Sequence, residues 1–465
     1  MRPVLTPKQM RVLDAEAITA GTSIEVLIGR AGAAVARAAK RMMGGLYGRT
    51  VVVITGKGNN GADGRVTARL LADQGVRVHV IDAERMPLRL PVSDLIIDAA
   101  FGTGFRGEWS PPSTKGVPVL AVDIPSGIDG LTGLAAPDTW QATRTVTFVA
   151  LKPGLLLGAG RALCGEVELV DIGINLGMSN VDINEVERSD VSQWVPQRPF
   201  DSHKWKAALY AVAGSSGMMG AANLCSSSAM RAGAGIVHVA SPGIVSDRST
   251  STEIVRRALP ALGWSHEVLD DLSRFKAMVI GPGLGRDEGT VSEARRVISG
   301  AHIPMVIDGD GLYAVAWGGE GARDIVRARA AGTVLTPHDG EYTTLLGYAP
   351  SHDRITSARR LASDTNCVCL LKGTTTVVAE PSGEVLMVAN GDQRLATAGT
   401  GDVLAGIIGA LLAQGVAPFH AAASGAWIHG YAASLYDANE GLIASDLVDL
   451  IPLALSHMRH VGAQD

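Results

Sequence analysis

In each half of this chain, short apolar runs alternate with helical segments, and most of the runs end in a loop rich in glycine and polar residues. The first run is VVVIT at 51–55, which is followed by GKGNNGADG at 56–64 and by a helix predicted from about Arg65 to Gln74. Such alternation is typical of α/β domains with a parallel, doubly wound sheet, whose ligands bind at the carboxyl ends of the strands. We therefore expect the chemistry of the chain to reside on these loops.

The same pattern predicts two α/β domains. Two helices are predicted within 8–42 and a small-residue helix at 220–231, and further strands are predicted at 76–81, 94–100, 117–124, 209–215, 235–241, 277–285, 304–312, 332–341 and 368–378, with a hairpin at 381–385. The alternation is lost over 176–200, where acidic residues crowd and Pro196 and Pro199 interrupt the pattern. We place the boundary there and assign residues 1–198 to a first domain and residues 199–465 to a second.

Composition excludes several classes of protein. Hydrophobic residues make up 46% of the 465 residues, enough for a large core, and the formal net charge of −5 comes without a long basic run, so no nucleic-acid partner is expected. The stretch MRPVLTPKQM lacks an apolar signal core and no apolar run reaches the length of a membrane span, so we expect a cytoplasmic protein without a membrane partner. The four cysteines contain no C-x-x-C pair and are expected to be buried thiols.

The stretch TAGTGDVLAG at 397–406 combines two glycines, Gly399 and Gly401, with the start of an apolar helix. A glycine turn before a buried helix aims free N–H groups and the positive end of the helix dipole at one point, an arrangement suited to a phosphate. Asp402 then has two interpretations: it either caps the helix or acts as a base beside the bound phosphate.

Other loops of the second half carry similar chemistry. KGTTT at 372–376 supplies a cation, backbone N–H groups and hydroxyls, a set suited to nucleotide phosphates. His338 in TPHDGE, with Glu341 nearby, is either a ligand contact or a turn histidine hydrogen-bonded to the backbone. Residues 281–285, GPGLG, either bring the backbone close to a ligand or form an ordinary glycine loop.

In the first half, oxygen-bearing side chains follow three of the predicted strands. They lie in Asn59–Asp63, in the stretch from Asp98 through FGTGFRGE at 101–108, and in Asp123–Asp129. Each loop alone could be ordinary turn chemistry, because Asn, Asp, Ser and Gly are turn residues. Three such loops at one sheet edge instead favour a site for an alkali or alkaline-earth cation.

Four stretches of the first half, GKGNNGADG, FGTGFRG, AVDIPSGIDGLTG and TVTFVALKPGLLLGAG, together resemble the NAD(P)H-hydrate epimerase domain, over most of residues 10–175. The resemblance implies that K⁺ is held by Asn60, Asp98 and Ser126. It implies substrate contacts at Asn59, Asn60, Gly61, Ala62, Asp63, Gly102, Thr103, Gly104, Phe105, Arg106, Gly107, Glu108 and Asp123. Asp123 is our choice for the acid–base residue; Lys152 in LKPG is the alternative, unless it is a solvated surface lysine.

The chain departs from that family pattern at two places. Ala62 stands where the family usually has the second glycine of NNGGDG, and an added Cβ costs about 1 kcal/mol or more if this position needs a positive φ. The segment from Phe105 to Val117 is short and contains Pro111-Pro112, so a full crossover helix is not expected there.

The second half, over about 203–455, resembles the ADP-dependent NAD(P)H-hydrate dehydratase domain, a ribokinase-like fold. Its motifs HK, AGSSGMMGA, GPGLGRD, TPHDGE, LKG and GTGDVLAG follow the family order. The resemblance implies that the nucleotide is bound by Lys372, Gly373, Thr374, Thr375, Thr376 and Gly401. It implies that the hydrated cofactor is bound by Ala221, Gly283, His338 and Asp402.

We therefore predict an N-terminal Rossmann-like doubly wound domain and a C-terminal ribokinase-like domain that together repair hydrated NADH and NADPH. The second domain would transfer a phosphoryl group from ADP, bridged by Mg²⁺, to the C6 oxygen, with Asp402 as base, after which phosphate departs. The first domain would interconvert the C6 epimers, and a homo-oligomer is expected. The alternative function is an ATP-dependent small-alcohol kinase fused to a non-catalytic ligand-binding module.

Overall fold

The computed structural model describes residues 1–178, 181–244, 253–316 and 320–459. Two compact units are present, one of Arg2–Ile183 and the other of Asn184–Asp465 together with Met1. The segment that follows residue 184 belongs to the second unit because the Val186 N–H donates to the Met387 carbonyl and Val191 is fully buried in that unit's core. The functional boundary after Arg198 stays a prediction.

The first unit is built around one parallel sheet. Its elements are β1 (Arg2–Pro3), α1 (Pro7–Thr19), α2 (Ile24–Met43), β2 (Thr50–Thr55), α3 (Asn59–Ala72), β3 (Arg77–Asp82), β4 (Leu95–Ala99), β5 (Val119–Val122), β6 (Arg144–Phe148), α4 (Pro153–Leu156), α5 (Gly158–Leu163) and β7 (Glu166–Val170). The sheet order is β3-β2-β4-β5-β6-β7, and every neighbouring pair is parallel. The chain reverses its direction across the sheet at β2, so a ligand crevice is expected at the carboxyl ends of β2 and β4.

The loop after β2 is shorter than the sequence predicts. The helix expected from about Arg65 begins at Asn59, so NNGADG forms the first turns of α3. Glycine permits this, because a Cβ at Gly61 would lie 1.9 Å from the Gly56 carbonyl oxygen. Ala62 lies within the helix and is absent from the described non-glycine residues with positive φ, so the anticipated cost of its Cβ does not arise.

The crossover from β4 to β5 contains no helix, as Pro111-Pro112 predicts. Aromatic side chains cover this face of the sheet instead. Trp109 and Trp140 are buried with their ring centroids 6.1 Å apart, and Phe101 packs edge-on against Trp109 at 5.2 Å. These rings pack with Ile54, from β2, and its apolar neighbours to form a second core layer.

The second unit has a larger mixed sheet. Its elements are β8 (Ile183–Glu185), α6 (Arg188–Trp194), β9 (Ala208–Val212), α7 (Met219–Arg231), β10 (Ile236–Pro242), β11 (Val255–Leu259), α8 (Ser265–Asp271), β12 (Ala277–Ile280), α9 (Glu288–Gly300), β13 (Met305–Ile307), α10 (Asp310–Ala316), α11 (Glu320–Arg327), β14 (Thr333–Leu335), α12 (Asp339–Leu346), α13 (Arg354–Thr365), β15 (Val368–Leu371), β16 (Thr376–Ala379), β17 (Val385–Val388), α14 (Thr400–Ala413), α15 (Pro418–Ser434) and α16 (Ala444–Arg459). From β8 the strand order is β8-β17-β16-β15-β14-β13-β12-β9-β10-β11. Neighbouring strands from β11 to β15 are parallel, whereas β15, β16 and β17 pair antiparallel.

The prediction of a single strand at 368–378 is wrong. The chain turns over between Leu371 and Thr376, so KGTTT is the connection between two antiparallel strands. The predicted hairpin at 381–385 is confirmed, with Gly383 at a φ of +100° in the turn between β16 and β17.

Helix α14 lies at the centre of the second unit. All its residues from Val403 to Ala413 are buried, and its N-cap is Gly399 at a φ of +90°, which glycine adopts without strain. Gly406 lets α14 approach α7, because a Cβ there would lie 2.1 Å from the Cys225 carbonyl oxygen. The glycine turn is therefore followed directly by a helix that lies in the core of the unit.

Among the described residues, no helix is long and apolar enough to cross a membrane. The prediction for the cysteines is confirmed, because Cys164, Cys225, Cys367 and Cys369 are all buried thiols.

Candidate active sites

The first unit contains a cavity of about 620 Å³ at the carboxyl ends of its strands. The predicted substrate contacts that line it are Asn59, Asn60, Asp63, Gly102, Thr103, Gly104, Phe105, Arg106 and Asp123. The predicted contacts Gly61, Ala62, Gly107 and Glu108 are not among its lining residues, and neither are the predicted cation ligands Asp98 and Ser126.

An ion pair between a buried lysine and a partly exposed aspartate joins the two candidate acid–base residues. Lys152 is 2% exposed, so its interpretation as a surface lysine is wrong. Its Nζ lies 2.5 Å from Asp123 Oδ1 and donates to Thr147 Oγ1 at 2.8 Å and to the Phe148 carbonyl at 3.0 Å. Asp123 and Val149, which both line the cavity, have φ of +68° and +69°. A β-branched residue rarely adopts this region, so the fold holds these loops in a strained conformation.

Two more carboxyl groups line the same cavity. Burial, together with the neighbouring charges of Asp123 and Asp14, raises the pKa of Asp63 to about 8. Burial also raises the pKa of Asp14, although the attraction of Lys152 opposes this shift. Asp63 therefore holds a proton at neutral pH beside the Asp123–Lys152 ion pair.

The predicted cation ligands form a network beneath the cavity. Asp98 is fully buried, and the Ser126 hydroxyl and N–H donate to its two carboxylate oxygens at 2.5 and 2.8 Å. Burial raises the pKa of Asp98, against the hydrogen bonds from Ser126. The Asn60 side-chain amide is buried, and neither its oxygen nor its nitrogen has a partner. Within the described residues, no group of three or more His, Cys, Asp and Glu side chains is placed to hold a metal ion.

The candidate site of the second unit begins at the first turn of α14. Burial and the nearby charge of Asp308 raise the pKa of Asp402 to about 6, although the attraction of Lys372 opposes the shift. The N-cap Gly399 provides no side-chain cap, so the helix start has N–H groups that no side chain caps. A Cβ at Gly401 would lie 3.4 Å from Lys372 Nζ, which places the lysine of KGTTT beside the glycine turn.

Lys372 is held by carboxylates. Its Nζ lies 2.7 Å from Asp308 Oδ1 and 4.0 Å from Glu341 Oε2. Burial alone would lower the pKa of Lys372, but the attraction of Asp308 and Glu341 outweighs it and the pKa is raised. The Thr336 hydroxyl also donates to Asp308, at 2.7 Å. Lysine, glycine turn and Asp402 therefore converge on one point.

His338 caps the helix that follows it. Its Nδ1 accepts from the N–H groups of Gly340 and Glu341 at 3.0 and 3.2 Å, and the Glu341 carboxylate accepts from the His338 N–H at 2.9 Å. Because Nδ1 is an acceptor, Nε2 carries the hydrogen of the neutral ring. The side chain is 60% exposed, so Nε2 remains accessible to a ligand.

The GPGLG loop adopts conformations that favour glycine. Gly283 has a φ of +59°, and a Cβ there would lie 3.0 Å from the Cβ of Ala221. The Ser215 hydroxyl donates to the Gly283 carbonyl at 2.8 Å, and the Gly285 N–H donates to Asp310 Oδ2 at 2.8 Å. The predicted contacts Ala221 and Gly283 are thus neighbours.

Comparison with known proteins identifies both halves of the chain. The family described as NAD(P)H-hydrate dehydratase matches residues 209–453, and the family described as YjeF-related protein N-terminus matches residues 24–94 and 82–154. The bifunctional NAD(P)H-hydrate repair enzyme Nnr of Moorella thermoacetica is 34% identical, covering 93% of this chain and 92% of that protein. This chain belongs to the family of bifunctional NAD(P)H-hydrate repair enzymes.

Repair enzymes of the same name from other organisms are similar to this chain. Proteins of the same name from Mycobacterium leprae and Escherichia coli are 35% and 33% identical and cover 90% and 85% of the chain. A solved ribokinase-like superfamily protein of Enterococcus faecalis, 20% identical, matches with a TM-score of 0.53 over 60% of this chain and 98% of its own, which shows the same fold. The chain is therefore a bifunctional enzyme, an epimerase and a dehydratase of hydrated NAD(P)H.

Three residues of these two candidate sites were not predicted from the sequence. Asp14 lies in α1, and no local motif marks it, because only the fold brings this helix to the cavity. Asp308 follows β13 in VIDGDGL, where an acidic pair at a strand end was a usable signal. The Arg354 guanidinium donates to the Lys372 carbonyl at 2.5 Å and pairs with Asp339 at 2.9 Å, which holds the KGTTT turn in place.

Proposed function

We propose that the first unit interconverts the C6 epimers of hydrated NADH and NADPH, with Asp123 as the acid–base residue. We propose that the second unit dehydrates the S epimer with ADP, giving AMP and phosphate, with Asp402 as base. The observation that carries the dehydratase proposal is the convergence of Asp402, Lys372 and the uncapped turn at Gly399–Gly401.

For epimerisation, the hydroxyl on C6 and the ring nitrogen N1 form a hemiaminal. Asp123 would take the hydroxyl proton, the C6–N1 bond would break, and a C6 aldehyde would form while N1 takes a proton. Rotation and re-closure then give the other epimer. Asp63 is suited to supply the proton to N1, because it is protonated at neutral pH and lines the same cavity. Lys152, paired with Asp123, orients that carboxylate.

K⁺ would be held by Asn60, Asp98 and Ser126. The support is the buried Asn60 amide oxygen, which lacks a partner, together with the buried carboxylate of Asp98 and the hydroxyl of Ser126. Such oxygens suit a hard monovalent ion. The ion would supply a fixed positive charge to the loops that bound the substrate cavity.

For dehydration, hydroxide is a poor leaving group and must be converted to a better one. Asp402 would take the proton of the C6 hydroxyl, and the oxygen would accept the β-phosphoryl group of ADP. Phosphate then leaves with the C6–O bonding electrons, a proton is lost from C5, and the C5–C6 double bond forms. Lys372 and the N–H groups at Gly401 would hold the transferring phosphoryl group.

The remaining predicted residues would hold the ligands. Ala221, Gly283 and His338 would contact the hydrated cofactor, and the KGTTT turn would contact the nucleotide through Gly373, Thr374, Thr375 and Thr376. Mg²⁺ would be held mainly by phosphate oxygens and water, as this ion commonly is, with Asp308 as the nearest buried carboxylate to Lys372. The choice of ADP follows from the family resemblance. A cytoplasmic location and a homo-oligomer stay predictions.

The test is incubation of the intact protein with an epimer mixture of hydrated NADPH and with ADP, ATP or neither nucleotide. We expect absorbance of the reduced nicotinamide to return only with a nucleotide, together with stoichiometric free phosphate. Accumulation of a phosphorylated alcohol without free phosphate would instead identify a kinase.

A further inference from the structure

One ion pair at the rim of the first cavity has no part in the chemistry described so far. Lys57 and Glu84 both line the cavity, and Lys57 Nζ lies 2.6 Å from Glu84 Oε1. The two side chains are 77% and 58% exposed, whereas those of Lys152 and Asp123 in the same cavity are 2% and 18% exposed. The rim pair is therefore exposed to solvent, and it can contact a part of a ligand that extends out of the cavity.

The fold fixes where this pair stands. Lys57 follows β2 and Glu84 follows β3, and the ends of these adjacent parallel strands are in register, with Thr55 opposite Asp82. The Asp82 side chain accepts from the Glu84 N–H at 2.9 Å, which fixes the turn that carries Glu84. Both charges therefore lie at the carboxyl edge of the sheet, beside the start of α3.

The arrangement also sets the direction of a bound dinucleotide. The reactive ring must lie at Asp123, and the pyrophosphate suits the start of α3, where the N-cap Gly58 supplies no side-chain cap. The adenosine ribose would then lie towards the end of β3. In doubly wound sheets, an acidic residue at the end of this neighbouring strand accepts from the ribose 2′-hydroxyl, and a nearby cation accommodates a 2′-phosphate.

We propose that Glu84 and Lys57 determine the cofactor specificity of the first unit and let it accept both hydrated NADH and hydrated NADPH. This proposal rests on the proposed epimerase function. Glu84 accepts a hydrogen bond from the 2′-hydroxyl of hydrated NADH. With hydrated NADPH, Lys57 leaves Glu84 and pairs with the 2′-phosphate. An exposed ion pair is held weakly, so the exchange of partners is easy.

The test compares Lys57→Gln and Glu84→Gln in the intact protein. Epimer exchange is followed by chromatography of the two epimers without nucleotide, so that the second unit does not consume the product. The quantity measured is the ratio of kcat/KM for hydrated NADPH to kcat/KM for hydrated NADH. We expect this ratio to fall about three- to tenfold in Lys57→Gln and to rise by a similar factor in Glu84→Gln, the size of one partly screened charge contact.

Both variants break the same ion pair, so a general effect of that loss would shift the ratio in one direction only. Lys40→Gln and Glu166→Gln are controls that remove like charges away from the cavity, the second also breaking an exposed ion pair, with Arg144. Their ratio should equal that of the unaltered protein. Unchanged ratios, or ratios moving the same way, in Lys57→Gln and Glu84→Gln overturn the specificity proposal. Absence of epimer exchange in the unaltered protein would instead overturn the epimerase function.

Discussion

At the scale of single residues, the two sites contain carboxyl groups whose pKa values differ because their surroundings differ. Asp402 has a pKa of about 6 and is ionised at neutral pH, as a base must be, whereas Asp63 has a pKa of about 8 and is protonated, as an acid must be. Burial is the main cause of both shifts. The neighbouring charges also differ, because Lys372 offsets part of the shift at Asp402, whereas the neighbouring charges at Asp63 are carboxylates that add to its shift.

Asp402→Asn should lower dehydration about 10²–10⁴-fold, the usual range for removal of a general base. In the unaltered protein, kcat/KM should fall as the pH drops through about 6, because Asp402 takes up a proton. The test is to measure kcat/KM from pH 5 to 8 in both proteins. The fall at acidic pH should be absent from the residual activity of the variant. Near-normal turnover of Asp402→Asn, with ADP still bound, would mean that Asp402 serves only the helix.

Asp63 should make the protein less stable as the pH rises. The unfolded group loses its proton near pH 4, whereas the folded group keeps it to about pH 8. Between these values the folded state binds more protons, so the free energy of unfolding falls with increasing pH. Asp63→Asn should remove this fall, on the order of 1–3 kcal/mol between pH 5 and 7, in urea unfolding curves.

The matched control for that measurement is Asp73→Asn, an exposed aspartate at the end of the same helix. It should leave the pH dependence of stability unchanged. An equal flattening in both variants would mean that the slope comes from the net charge of the protein rather than from the buried carboxyl of Asp63.

At the scale of elements, the sequence predicts the strands well and the turns between them poorly. The apolar runs at 51–55 and 277–280 are strands because β-branched residues there are buried on both faces. Helix α3 begins earlier than the sequence predicts, because NNGADG has the composition of a turn but forms the start of the helix, where Gly61 allows a close approach to Gly56. Tertiary packing, which a local pattern does not contain, decides such boundaries.

The residues of the candidate sites likewise divide into those that the sequence predicts and those that it does not. Asp123 is predictable because it directly follows a strand whose end meets the other strand ends at one sheet edge, and Asp402 is predictable because a glycine turn precedes an apolar helix there. Asp14 is not, since its helix is joined to the cavity only by the fold. The burial of Lys152 was also beyond the sequence, because the lysine follows the strained residue Val149 in a loop whose path local preferences would not predict.

Ala62→Gly, which restores the more common family residue, should not help the epimerase. Ala62 lies in the first turns of α3 without a positive φ, so glycine there only adds freedom to the unfolded chain. We expect a loss of about 0.5–1 kcal/mol in the free energy of unfolding and an unchanged rate of epimer exchange. A clear gain in exchange rate would show that the Cβ of Ala62 obstructs the substrate.

At the scale of the whole molecule, two units with separate cores carry two separate sets of loop chemistry. With a mixture of C6 epimers, Asp123→Asn should restore one epimer at the normal rate and then slow to the rate of spontaneous epimerisation. Asp402→Asn should exchange epimers and restore almost nothing. Progress curves of reduced-nicotinamide absorbance measure both.

Mixing the two variants should restore the complete reaction, because the hydrated cofactor diffuses between molecules. The biphasic curve of Asp123→Asn should then become a single phase. If Asp123→Asn alone runs to completion in one phase, Asp123 is not the epimerising residue and Lys152 is the next candidate.

The burial of α14 has a consequence for how the dehydratase activity is lost. Helix ends usually fray, and groups carried on them detach before the rest of a domain opens. Asp402 stands at the end of a helix whose next eleven residues are all buried, so a local opening does not free it. The amide hydrogens of α14 should exchange with solvent only when the whole unit unfolds. Heat inactivation should therefore follow that global opening, with no earlier stage in which a folded protein has lost its base.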